Sequence, residues 1–181
     1  MYSDDNGATW HKGAALPEGY TEAEAAEIGS TGSLLWTSRL GPPFVKPGQP
    51  LLDGVLRGFG MSHDGGETWS ETWQLPSNNS DEVLFGTCES SIVADTASGR
   101  VFWGHPGAWP PGNRSRVNYT VHSTTDGKHW DLVEVVYPGG AGYSDSVMLP
   151  NGKLGVAFQR TLFEADTEGG GYNGAFAVVD V

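Results

Sequence analysis

The most distinctive chemical groups in this sequence are hydroxyl and carboxyl side chains that recur in three similar octapeptides, each ending in tryptophan. The octapeptides span residues 3–10, 62–69 and 123–130. Aspartates in such clusters can ligate calcium, but the twelve-residue spacing of an EF-hand loop is absent. Asp and Ser side chains also bind backbone N–H groups in turns, and Gly supplies the positive φ that a tight turn needs. The octapeptides therefore predict three hairpin tips.

The third octapeptide departs from the pattern SxDxGxTW, which the first two copies fit fully. Thr125 stands at the aspartate position, Asp126 follows one residue later, and His129 replaces the threonine. Aligned on Ser123, the third turn is predicted to be a degenerate copy of the other two.

Other reactive side chains exclude several classes of site. The five histidines show neither the HExxH motif nor another paired ligand spacing, which argues against a zinc site. The single cysteine, Cys88, excludes an intrachain disulfide. Ser144 lies beside Asp145 but not within GxSxG, the motif of a hydrolase nucleophile elbow. No metal or cofactor is therefore predicted.

Segments between the octapeptides are short, apolar or alternating, and bounded by turn residues, which is typical of strands. They are residues 32–39, 91–94, 100–104, 117–122 and 153–158. Only residues 22–27, with their alanines, have local helix preference. We predict a strand there too, because the segment is short and helix propensity is a weak guide.

The composition and the repeat together predict a β-propeller. The chain has 181 residues with 27 Gly, 11 Pro and 7 Trp, which is rich in turn formers and in residues for a packed core. A repeat of about 60 residues leaves room for four short strands and their turns, which is one propeller blade. The prediction is an all-β fold of antiparallel four-stranded blades, about three in number, in a single domain over residues 1–181. Closure needs about four to eight blades, so the propeller is expected to be incomplete.

The charge balance excludes polyanionic partners. Ten Lys and Arg against 22 Asp and Glu give a formal charge of −12, which repels nucleic acid and anionic membranes. A small anionic ligand is compatible with this charge, because a few converging arginines can outweigh a diffuse acidic surface. No apolar stretch in the sequence is long enough to span a membrane, and the residues after Met1 have neither a basic start nor an apolar core, so neither a spanning helix nor a signal peptide is expected in these residues.

Beyond the octapeptides, which resemble Asp-boxes, four further stretches resemble the exo-α-sialidases, or neuraminidases, in the order of that family. They are residues 21–28 with 32–39, 115–121, 141–147 with 149–155, and 172–177. The resemblance implies the C-terminal half of a six-bladed catalytic propeller. The family's Arg-Ile-Pro motif, which carries its first arginine, is absent from this sequence, and its acid/base Asp is expected in the missing blades. We therefore expect the 181-residue chain alone to be inactive.

The resemblance implies a role for each of four residues. Tyr143 would be the nucleophile, Glu22 its base, and Arg39 and Arg116 two of the three arginines that bind the sugar carboxylate. Glu24 and Glu27 lie close enough to Glu22 to be confused with it. The implied function is release of terminal sialic acid from glycoproteins, gangliosides and oligosaccharides.

The chemistry of sialic acid explains why these residue types would be needed. A guanidinium group matches a carboxylate in a bidentate pair. The carboxylate on the anomeric carbon repels an anionic nucleophile, so a phenol replaces the usual carboxylate. A phenol has a pKa of about 10 and needs an adjacent base.

Alternatives stay open at the level of sequence. Arg39 and Arg116 are also compatible with surface salt bridges, and Tyr143 with an ordinary hairpin aromatic. The whole chain is compatible with a non-catalytic Asp-box propeller that binds glycans or proteins, or with a broken gene product. Sequons at Asn78, Asn113 and Asn118 are compatible with a secretory or lysosomal route, and localisation is otherwise open.

Overall fold

The computed structural model describes residues 1–29, 31–40, 56–76, 88–107, 116–161 and 171–181. These residues form ten strands. The strands are β1 (Tyr20–Ile28), β2 (Ser33–Leu40), β3 (Leu56–Ser62), β4 (Glu71–Pro76), β5 (Ser91–Asp95), β6 (Arg100–Gly107), β7 (Val117–Thr124), β8 (Asp131–Met148), β9 (Leu154–Thr161) and β10 (Tyr172–Val179). Over the described ranges, the chain contains no helix of the length and apolarity needed to cross a membrane.

The strands form three antiparallel blades. The first blade is β1 to β4 in chain order, and β5 to β10 form a second hydrogen-bonded sheet. Within that sheet, β8 pairs with β7 as far as Gly140 and with β9 from Ala141 onward. This long strand therefore closes the second blade and opens the third. The prediction of an incomplete all-β propeller is confirmed, whereas the prediction of a single domain over residues 1–181 stays a prediction.

Each segment predicted as a strand matches a strand to within one residue, including residues 22–27 in β1; the segments 32–39 and 153–158 begin one residue before β2 and β9. Alternate residues of β1 are half-buried, and its backbone pairs with β2 along most of its length. Cross-strand pairing and burial thus outweigh the local helix preference of Ala and Glu.

Each hydrophobic core lies between two neighbouring blades. One core joins the first two blades, where Phe59 meets Trp103 edge-on at 5.3 Å between ring centroids. The other joins the second and third blades, where Tyr119 stacks on Phe158 at 4.6 Å. This packing of sheet on sheet fixes the angle between blades and hence the places where their first strands meet.

The first two octapeptides form the predicted capped hairpin turns. In the second, the Ser62 Oγ accepts the Gly66 N–H at 2.8 Å, and the Asp64 carboxylate accepts the Thr68 N–H at 2.9 Å and its hydroxyl at 2.5 Å. The first copy repeats these contacts through Ser3, Asp5 and Thr9. Hydrogen bonds from Thr68 lower the pKa of Asp64 to about 2.

The alignment of the third octapeptide on Ser123 was wrong. Thr124 fills the first position, because its Oγ1 accepts the Gly127 N–H at 2.9 Å. The Asp126 Oδ1 accepts the His129 N–H at 2.8 Å, and the His129 Nδ1 lies 2.7 Å from Asp126 Oδ2. This turn is one residue shorter than the other two, so its first capping residue is Thr124 and not Ser123. The His129 ring takes the place of the threonine hydroxyl beside the aspartate.

The three sequons differ in what the structure describes of them. Asn78 and Asn113 lie outside the described residues. Asn118 lies in β7 at a register shift, with φ of 56°, and its carbonyl accepts the Thr120 hydroxyl at 2.6 Å.

A buried histidine pair lies inside the second blade. The His105 Nε2 and the His122 Nδ1 are 3.0 Å apart, and both rings pack against Trp103. Burial lowers the pKa of both histidines, that of His122 to about 4. An unfolded chain would bind protons at these rings from a pH of about 6.5 downward, whereas the folded chain would not.

We predict that the histidine pair lowers the free energy of unfolding as the pH falls from about 6.5 towards 4, by up to about 1.4 kcal/mol per pH unit for each histidine, against the opposite effect of buried carboxyl groups whose pKa is raised. Urea denaturation at several pH values would measure the slope. His122→Gln should make it shallower, and the control His11→Gln, at an exposed position, should leave it unchanged. An equal slope in His122→Gln and the wild type would contradict the prediction.

Candidate active site

Glu22 lies at a β-bulge in the first strand of the first blade. Thr21 pairs with Arg39 and Ala23 pairs with Ser38, so Glu22 is an extra residue without a partner on β2. Its φ of 53° lies in the left-handed region that residues other than Gly rarely adopt. Bulges redirect side chains, and backbone strain of this kind is common at functional sites.

Tyr143 lies at a second bulge, in the first strand of the third blade. Ala141 pairs with Arg160 and Ser144 pairs with Phe158, so Gly142 and Tyr143 together oppose Gln159. The Tyr143 N–H donates to the Gln159 Oε1 at 3.2 Å. A Cβ at Gly142 would lie 2.6 Å from the same oxygen, so a larger residue there would displace the Gln159 amide from its contact with Tyr143.

Three of the four residues singled out from the sequence meet in one cluster. The Tyr143 hydroxyl donates to Glu22 Oε1 at 2.5 Å, across 121 residues of chain. The Arg39 Nη1 lies 3.2 Å from Glu22 Oε1 and 3.0 Å from Oε2. Glu22 and Arg39 retain only 27% and 18% of their side-chain exposure, whereas Tyr143 is 41% exposed. The phenol therefore faces solvent and the charged pair lies behind it.

The protonation states of the cluster follow from its contacts. Burial raises the pKa of Glu22, but the hydrogen bonds from Tyr143 and Arg39 and the charges of Arg39 and Arg116 outweigh burial and hold it below its usual range. The hydrogen bond to Glu22 raises the pKa of Tyr143. Near neutral pH the carboxylate is therefore charged and the phenol keeps its proton.

The fourth residue, Arg116, lies directly before β7, at the edge of the cluster. Its carbonyl accepts the Ala141 N–H at 2.9 Å, two residues before Tyr143. Its positive charge helps to lower the pKa of Glu22, and it opposes the burial that raises the pKa of Cys88 to about 11. The catalytic and binding roles of Tyr143, Glu22, Arg39 and Arg116 stay predictions.

Two other glutamates of the first blade have separate partners. The Glu24 Oε2 accepts the Ile92 N–H at 2.9 Å, and the Glu27 Oε1 accepts the Gly32 N–H at 2.9 Å. Glu22 is therefore the member of this group that the fold presents to Tyr143.

Sequence patterns did not indicate Arg57, a buried cation near the cluster. Only 2% of Arg57 is exposed, and it donates to Thr37, to the Cys88 carbonyl and to Ser90. Burial lowers its pKa to about 10, so it is charged at neutral pH. No motif marks such a residue, because its role depends on the register of β3 against β2 and on the segment before β5.

Glu89 was also missed. Its Oε2 accepts the Ser144 N–H at 2.9 Å, directly after Tyr143. Beside this contact, a shallow cavity of about 320 Å³ is lined by Tyr143, Gln159 and neighbouring residues of β8 to β10. Over the part of the chain that the structure describes, no group of three or more His, Cys, Asp or Glu residues could hold a metal ion.

Comparison with known proteins supports the resemblance found in the sequence. The chain is 28% identical over 166 residues to a sialidase from Micromonospora viridifaciens, in a match that covers 88% of the chain and 23% of that protein. The chain therefore spans about a quarter of the length of this curated relative. No protein-family model matches the chain.

Three solved structures with the same fold are sialidases or trans-sialidases. The NanB sialidase from Streptococcus pneumoniae superposes with a TM-score of 0.68 at 19% identity, over 99% of this chain and 26% of that one. The intramolecular trans-sialidase from Ruminococcus gnavus superposes with a TM-score of 0.67 at 23% identity, over 100% of this chain and 37% of that one. Trypanosoma rangeli sialidase with 2,3-difluorosialic acid, described as a covalent intermediate, superposes with a TM-score of 0.63 at 23% identity, over 97% of this chain and 26% of that one. The chain is thus similar to sialidases in sequence and corresponds in fold to part of their propeller.

We predict that Glu22→Gln lowers the pKa of Tyr143, because it removes the negative charge that now accepts the phenolic proton. NMR titration of the chain with ¹³C-labelled tyrosine would measure this pKa. Glu18→Gln, at an exposed position, is the matched control. An unchanged titration of Tyr143 in Glu22→Gln would show that the two side chains do not interact in solution.

Proposed function

We propose that the chain is part of a retaining exo-α-sialidase that releases terminal sialic acids from glycoproteins, gangliosides and oligosaccharides, and that its octapeptide turns are Asp-boxes. The observation that carries the proposal is the 2.5 Å contact between the Tyr143 hydroxyl and Glu22. A solvent-facing phenol bonded to a carboxylate, with a guanidinium on the other side, is the group of residues that attack on a sugar acid requires.

In the proposed complex, Arg39 and Arg116 bind the carboxylate of the sugar. Arg39 now directs one nitrogen at Glu22, and its Nε is buried without a hydrogen-bond partner among the described residues. A buried donor without a partner is costly in a folded chain and is a common feature of binding sites. Two guanidinium groups would hold the substrate so that its anomeric carbon faces Tyr143.

In the first chemical step, the Tyr143 oxygen forms a bond to the anomeric carbon while the bond from that carbon to the aglycone oxygen breaks. Glu22, which its contacts keep ionised, takes the phenolic proton along the hydrogen bond that already joins the two groups. The paired negative charge of phenol and carboxylate stabilises an oxocarbenium-like transition state. In the second step, water attacks the anomeric carbon and the bond from that carbon to the Tyr143 oxygen breaks. The Tyr143 oxygen recovers its proton from Glu22, and the proton that water loses goes to the acid that had protonated the aglycone.

The aglycone oxygen must take up a proton as it leaves, and in the family an Asp supplies it. In the proposal this acid and a third arginine come from other blades of a complete propeller. We therefore expect no turnover of ordinary sialosides by the 181-residue chain alone.

We predict that Tyr143→Phe, in a protein that carries the complete propeller, lowers turnover of a fluorogenic sialoside by at least ~10³-fold, because no oxygen is left to attack. Initial rates at saturating substrate would measure the loss. Tyr2→Phe, far along the chain in the first hairpin, is the matched control and should retain activity. Full activity in Tyr143→Phe would exclude Tyr143 as the nucleophile.

A further inference from the structure

Two consecutive backbone N–H groups, those of Tyr143 and Ser144, donate hydrogen bonds to side chains. The bulge leaves Gly142 and Tyr143 outside the regular register with β9. Gln159 accepts the Tyr143 N–H, and Glu89, from the segment before β5, accepts the Ser144 N–H at 2.9 Å. The direction in which the phenol points therefore depends on where the Glu89 carboxyl lies.

Glu89 is also hydrogen-bonded to a second carboxyl group, that of Glu24. A hydrogen bond between two carboxyl groups needs one proton, because two carboxylates have no donor between them and repel each other. Each of the two carboxyl groups accepts one backbone N–H at 2.9 Å, Glu24 from Ile92 and Glu89 from Ser144. The hydrogen bond with Glu89 lowers the pKa of Glu24, whereas the charge of Glu24 raises the pKa of Glu89. Glu89 is therefore the partner that carries the proton, with one oxygen donating to Glu24 and the other accepting from Ser144.

We propose that Glu89 is a positioning residue for Tyr143, held as a neutral carboxylic acid between the Glu24 carboxylate and the Ser144 N–H. The role of Glu89 in catalysis rests on the proposed function of Tyr143. The effect of Glu89 on the conformation of Tyr143 is independent of that function. Ionisation of Glu89 would place a second negative charge against Glu24 and close to Glu22. The repulsion would displace the contact with Ser144, and the added charge would oppose an incoming sugar carboxylate.

The surroundings of Glu89 place this ionisation near neutral pH. Burial and the negative charges of Glu24 and Glu22 raise the pKa of Glu89 to about 7, against the opposing effects of the Ser144 N–H and the Arg57 charge. Glu89 is therefore neutral below that pH and charged above it. The titratable and charged groups around it are Glu22 and Glu24 from β1, Arg57 from β3, the adjacent Cys88, Tyr119 from β7 and, beyond Glu24, Asp145 from β8.

NMR titration of the 181-residue chain between pH 5 and pH 9 tests the proposal, with ¹³C-labelled glutamate carboxyl groups and tyrosine rings. We expect the Glu89 carboxyl carbon to titrate with a midpoint of about 7. The Tyr143 ring signals should move with the same midpoint. Glu89→Gln, which can still accept from Ser144 and donate to Glu24 but cannot ionise, should abolish this transition at Tyr143. The control Glu18→Gln should retain it.

Two results would overturn the proposal. One is a Glu89 titration in the ordinary carboxyl range near pH 4. The other is a Tyr143 transition near neutral pH that persists in Glu89→Gln. The wild-type titration needs no variant to fold, and neither readout needs turnover. A protein that shows the transition but never cleaves sialosides would refute the proposed function and leave the positioning role intact.

In a protein with the complete propeller, the ionisation of Glu89 predicts that kcat decreases at alkaline pH. The wild-type kcat should fall about tenfold by one pH unit above the Glu89 midpoint, as the neutral form is depleted. Glu89→Gln should remove this decline, whereas Glu89→Leu, which cannot hold Ser144, should lower kcat at every pH. An active enzyme whose alkaline decline is the same in Glu89→Gln and the wild type would contradict the positioning role.

Discussion

The hydrogen bond between Tyr143 and Glu22 joins residues 121 positions apart, and it depends on the angle between blades. Each partner lies in the first strand of its own blade, and the whole second blade lies between those two blades. The two inter-blade cores hold this arrangement, since each consists of large side chains packed between neighbouring sheets. Packing far from the site thus determines whether phenol and carboxylate meet.

Local backbone irregularity and buried charge complete the arrangement. Both residues of the pair lie at bulges, where the regular alternation of a strand no longer decides the direction of a side chain. Around them, Arg57, Glu24 and Glu89 lie in partly or wholly buried positions. Such ionisable groups are tolerated because each has a backbone or side-chain partner, and their balance of charged and neutral forms sets the protonation of the groups that face solvent.

The repeat and the strands could be predicted from the sequence because they follow from local rules. Turn residues and tryptophans mark the octapeptides, and short apolar segments mark the strands. The bulges at Glu22 and Tyr143 could not be predicted, since a register shift depends on the partner strand. For the same reason Arg57 and Glu89 were missed, and the third turn was aligned one residue early at Ser123. The four site residues came from a family resemblance, and residue patterns alone left ordinary surface roles open for them.

A fluorinated sialic acid with fluoride as its leaving group tests the central claim most directly, because fluoride departs without a proton from an acid. A second fluorine beside the anomeric carbon slows the later attack by water, so the adduct accumulates. After incubation of the chain with 2,3-difluorosialic acid, peptide mapping by mass spectrometry should locate one sialyl group on Tyr143, and Glu22→Gln should slow its formation. Labelling of another residue, or equal labelling of Tyr143→Phe, would contradict the assignment of Tyr143 as the nucleophile.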